Sequence, residues 1–115
     1  MYNLYVNVYD SSYREEIYLA LQSIGVQHAI TLDAQNLAGA LSDEKTFFTG
    51  FFRSDKFESG DVLVILAQVN SKEQGKEFLS NLREAGLDID GESIVSITMV
   101  PVSASFSQEN GYKEA

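Results

Sequence analysis

Hydrophobic and polar positions alternate with a period of two from Leu4 to Tyr9, with Leu4, Val6 and Val8 on one face and Tyr5, Asn7 and Tyr9 on the other. This predicts a strand whose aliphatic face meets a core and whose tyrosine face is covered without being dry. The period then changes. Ser12 with Glu15 reads as a capping box, the serine accepting a free N–H and the glutamate reaching back. Ile17, Ala20, Leu21 and Ile24 follow at helical spacing and form one buried stripe. Gly25 ends the helix, as glycine does where the backbone turns left-handed, and a second strand begins. From Val62 the same order returns. Val62–Val69 is apolar on both faces, as a central strand should be. Ser71 and Gln74 make a capping box, Phe78, Leu79, Leu82 and Ala85 a stripe, and Gly86 a stop; Ile94–Val102 is the last strand. Pro101 donates no hydrogen bond to a ladder, so it belongs at a strand end or an edge.

A β-α-β unit written twice in one short chain predicts an α+β fold: a ferredoxin-like βαββαβ sandwich, with an antiparallel sheet and two helices on one face. The 115 residues suffice for one core. The expected organisation is a single domain over residues 1–102, a long central loop at about 34–60, and a polar, solvated tail at 103–115.

Composition narrows the function classes. The absence of cysteine excludes disulfides, thiolate metal sites and a cysteine nucleophile. A net charge of −9, with 8 Lys and Arg against 17 acids, leaves no basic footprint for DNA or RNA. No apolar run reaches the ~20 residues that cross a bilayer. The opening MYNLYVNVYD reads as a strand and not as a signal peptide, so the expected location is cytoplasmic. There is no nucleophile elbow and no P-loop, and the chain reads as a non-enzyme without an assignable catalytic residue.

The central segment is the most distinctive stretch. Phe47, Phe48, Phe51, Phe52 and Phe57 are five of the seven phenylalanines. A connection of this length is commonly functional or disordered, and aromatics disfavour disorder. The cluster therefore either covers the domain's own core or forms a contact surface, with Phe47, Phe48, Phe51, Phe52 and Arg53 meeting a partner protein.

The stretch SIGVQHAITLDAQNLAGAL, and later AGLDIDGESIVSITMVPV, resemble the PII signalling proteins, the nitrogen regulatory superfamily, and their PII-like relatives. Gly25-Val26 stands at the family's step after the first helix and Thr31 near the end of the next strand. Residues 33–60 occupy the place of the mobile T-loop, and Gly86 to Gly91 that of the glycine-rich turn before the last strand. The resemblance covers about residues 2–102. It implies a homotrimer that binds a small effector, such as a nucleotide, in clefts between subunits, and it places Thr31, Asp33, Gly39, Gly86, Asp90 and Gly91 in that cleft. Two departures matter. Glu92 stands where the family has lysine, and the last strand carries no arginine or lysine. With Asp88, Asp90 and Glu92 facing the ligand, metal-free ATP is expected to bind weakly or not at all. The effector itself is left open.

Two alternatives remain at this level. One is a divalent-metal-handling trimer of the cation-tolerance type, for which His28 and the acidic turn are the only candidate ligands. A solvated turn and an ordinary exposed histidine account for the same residues. The other is a small ferredoxin-like enzyme using the face that bears Tyr5 and Tyr9.

Overall fold

A computed structural model describes residues 1–37 and 61–115. Strand β1 is Tyr2–Val8. A 3-10 turn, Ser11–Tyr13, leads into helix α1, Arg14–Ser23. Strands β2, Ala29–Gln35, and β3, Asp61–Val69, precede helix α2, Lys72–Glu84, and strand β4, Val95–Pro101. The four strands form one sheet in the order β2-β3-β1-β4. Every neighbouring pair is antiparallel. This is the predicted ferredoxin-like sandwich.

The core lies between the helices and one face of the sheet. Leu4, Val6 and Val8 of β1 and Ile65, Ala67 and Val69 of β3 point into it, against Ile17, Ala20 and Leu21 of α1 and Phe78 and Leu82 of α2. β3 is central and hydrophobic, as its unbroken apolar run requires. Pro101 is the last residue of β4, an edge strand, where its missing donor costs nothing.

The repeat extends to the helix ends. After α1, Gly25 N–H donates to Gln22 O and Val26 N–H to Leu21 O; after α2, Gly86 N–H donates to Arg83 O and Leu87 N–H to Leu82 O. Both glycines are left-handed, with φ of 89° and 93°. Each closure is a Schellman motif, which satisfies carbonyls that the helix leaves free.

Three local expectations change. The first helix is not capped by Ser12 and Glu15. Asp10 instead caps the 3-10 turn that precedes it: its Oδ1 accepts from the Ser12 N–H at 3.1 Å and the Ser12 hydroxyl at 2.6 Å, while at the start of α1 itself Tyr13 makes no side-chain capping bond. The 3-10 turn starts the helical path earlier, so Ser12 lies inside it. The second stripe does not include Ala85, which is exposed at the helix end, and Leu79 is half-buried. Gly75, Phe78 and Leu82 face inward, and Leu87 joins them because Gly86 turns the chain back. Finally, the polar tail is exposed but paired. Strands β5, Ala104–Ser107, and β6, Gly111–Glu114, form a hairpin whose turn ends at Gly111, φ 68°. Asn110-Gly111 is a strong hairpin signal within a stretch dominated by polar composition.

Candidate functional site

Thr31 and Asp33 lie on β2, at one edge of the sheet, opposite Ile65 and Leu63 of β3 and so on the helix-side face. Both are exposed. The helices bury the inner faces of β1 and β3 but leave that of β2 open. Gly86, Asp90 and Gly91 belong to the α2–β4 connection, beside the opposite edge. Strands β3 and β1 separate the two groups within one chain. Gly39, Phe47, Phe48, Phe51, Phe52 and Arg53 lie outside the described residues.

The turn after α2 is held together from within. Arg83 Nε donates to Asp90 Oδ2 at 2.8 Å and its Nη2 to Oδ1 at 2.9 Å. This hydrogen bonding, with the guanidinium charge adding to it, lowers the Asp90 pKa against a smaller opposing effect of desolvation. Asp88 Oδ1 accepts from the Gly91 N–H at 3.0 Å. The Asp88 carbonyl accepts from the Glu92 N–H at 3.0 Å. Two of the three acids expected to face a ligand are thus engaged inside the turn. Arg83 as the partner of Asp90 was not foreseen from the sequence. The signal was present, a basic residue in the last helical turn seven positions before Asp90, but the Schellman closure is what brings the two together.

Asp33 lines a hollow of about 490 Å³, with Tyr9, Ser11, Arg14 and Asp61 among its described walls. Asp61 arrives there because it pairs with Gln35 across the β2–β3 ladder, a register that spacing alone does not give. At the other end of the sheet a groove of about 600 Å³ runs between Asn3, Tyr5, Gln27, His28, Ile30 and Gln68. Its polar lining is mainly amide, and Gln68 Nε2 donates to Asn3 Oδ1 at 3.1 Å. His28 is exposed. Among the described residues, no three histidine or acidic side chains come together as a metal-binding group.

The sheet face away from the helices is graded. Toward β4 it is mainly polar, the exposed Val100 opposite Asn3 excepted: Tyr9 Oη lies 2.9 Å from Ser96 Oγ, and Asn7 Nδ2 donates to Ser96 Oγ at 3.4 Å. Toward β2 it is apolar. Ile30 sits opposite Leu66 and Leu32 opposite Val64. Ile30 is 59% and Leu32 49% exposed. The face expected to be covered on the tyrosine strand is therefore most apolar two strands away, on β2. Among the described residues, no helix is long and apolar enough to cross a membrane.

No protein-family model and no curated protein sequence matches this chain. Among solved structures, PII from Arabidopsis thaliana bound to citrate is similar over 98% of this chain and 88% of that chain, with 18% identity and a TM-score of 0.56. The likeness is one of fold: the chain has a PII-like α+β architecture.

Proposed function

We propose that this protein is a non-enzymatic, PII-like regulator. Three copies assemble, a small effector binds between them, and the central segment meets a partner protein. One observation carries this reading. In a chain with a PII-like fold, the described residues of the candidate cleft stand toward opposite edges of the sheet. Thr31 and Asp33 of one copy can join Gly86, Asp90 and Gly91 only from a neighbouring copy. The exposed Ile30 and Leu32 support the same conclusion, because an apolar sheet face gains from being covered. The aromatic cluster with Arg53 supplies the partner surface. Effector binding alters the contact of this segment with the partner.

The electrostatics favour some effectors over others. Arg83 offsets Asp90, but Asp88 and Glu92 keep the turn acidic, so a polyphosphate binds there only with a divalent cation beside it. The assembly is tested by light scattering, where the expected mass is three times the chain mass of 12.7 kDa. A monomer at micromolar concentration would refute it. A thermal-shift screen then tests the effector, using ATP with and without magnesium, nucleotide-derived messengers, 2-oxoacids and the citrate carried by the plant PII. A ligand of the folded state raises the unfolding midpoint by mass action. A trimer stabilised by none of these classes would refute effector binding as described.

A further inference from the structure

The β5–β6 hairpin has no core of its own. Its cross-strand pair Phe106 and Tyr112 is 76% and 65% exposed. Its side-chain hydrogen bonds are internal: Tyr112 Oη donates to Glu114 Oε1 at 2.7 Å and the Asn110 N–H to Ser107 Oγ at 3.1 Å. At the root, the Val102 N–H donates to the Met1 carbonyl at 3.1 Å. A lone two-stranded hairpin is marginal in water, and two exposed aromatics on one face add an unfavourable apolar surface.

We propose that this hairpin is an arm by which one copy of the chain holds the next. The Phe106–Tyr112 pair seats on the apolar corner that Ile30, Leu32, Val64 and Leu66 form on the neighbour's open sheet face. The inference rests on the assembly proposed above and specifies one of its contacts. Three observations select a second copy as the occupant. The arm continues from β4, whereas the apolar corner lies on β2 and β3, with β1 between; arm and corner grow from opposite sides of the same sheet. They also share an end of that sheet. Pro101, just before the arm, pairs with Tyr2, which pairs with Val69, while Ala29, just before Ile30, pairs with Ala67. The chemistry matches as well. The corner is uncharged, Lys113 alternates to the other face of the hairpin, and the Glu114 carboxylate is taken up by the Tyr112 hydroxyl. A contact between two different patches is heterologous, and a rotation of one third of a turn between successive copies closes it into a ring of three. Each aromatic covers about 150–250 Å² at most, so the arm reinforces face-to-face packing and does not replace it.

The test is photo-crosslinking with p-benzoylphenylalanine in place of Phe106, in a mixture of isotopically light and heavy chains whose mass has been checked by light scattering. The expected result is adducts from position 106 of one chain to residues 30–32 or 64–66 of another, in bands of two and three chains. Adducts within one chain, adducts elsewhere, or an oligomer without adducts would overturn the arm and leave the trimer standing. A monomer would overturn both. Independently, Phe106→Ser with Tyr112→Ser should raise the concentration at which the oligomer dissociates by about tenfold or more, with unchanged circular dichroism. An unaltered dissociation midpoint would count against the arm.

Discussion

Asp90 illustrates how one side chain can be both a candidate ligand and a structural brace. Its pKa lies below the usual aspartate value of 3.8 because Arg83 binds the charged form. A carboxyl held low in the folded state stabilises the fold above its unfolded pKa and loses that contribution as pH falls through the folded value. Asp90→Asn should therefore lower the melting temperature at neutral pH, and the gap from the parent should close well below pH 3.8. Both side chains of the ion pair are exposed, so added salt should narrow the gap too. A gap that persisted in acid would assign the effect to packing. If the same substitution also changed effector binding, the brace and the cleft would be one device.

At the scale of elements, Gln74 connects the two helices. Its Oε1 accepts from the backbone N–H groups of Asn70 and Ser71, and its Nε2 donates to the Ile24 carbonyl at 2.9 Å. The first contacts cap α2; the last binds the end of α1. Gln74→Ala should cost about 1–2 kcal/mol in urea unfolding; Gln74→Glu keeps the acceptor that caps α2 but sets a carboxylate oxygen against the Ile24 carbonyl, so it should lose the tie to α1 and recover toward the parent as the carboxyl is protonated in acid. A cost within error for Gln74→Ala would show that water replaces all three bonds. Half of this arrangement was legible in the sequence. Ser71 and Gln74 have capping-box spacing, whereas the bond to Ile24 joins residues fifty positions apart and depends on how α1 and α2 lie together. The same division holds across the fold. The two strand–helix–glycine units were readable because period and punctuation are local. The Asp10 cap, the Ala85 exposure and the apolar corner on β2 were not, since each depends on where an element starts or what lies over it. Of the cleft candidates, strand order alone shows that the described ones, Thr31 and Asp33 against Gly86, Asp90 and Gly91, lie toward opposite edges.

The whole molecule is built from two like halves, and their sheets are interleaved. β1 and β2 flank β3, and β3 and β4 flank β1, so neither half pairs its own two strands. Each unit thus lacks the middle strand of its own sheet, which the other must supply. Folding therefore cannot proceed by completing one unit and then the other. The long-range ladders β1–β3 and β1–β4 must form together, at the loop-closure cost that slows such topologies. The consequence is a single cooperative unfolding transition, with no half-folded species stable enough to accumulate. A chain cut between residues 37 and 61 makes this measurable. Each fragment alone should show little ordered circular dichroism, and mixing should restore the native spectrum at a concentration-dependent rate. A fragment that folded alone would mean that duplicated units can remain autonomous even when their strands are shared.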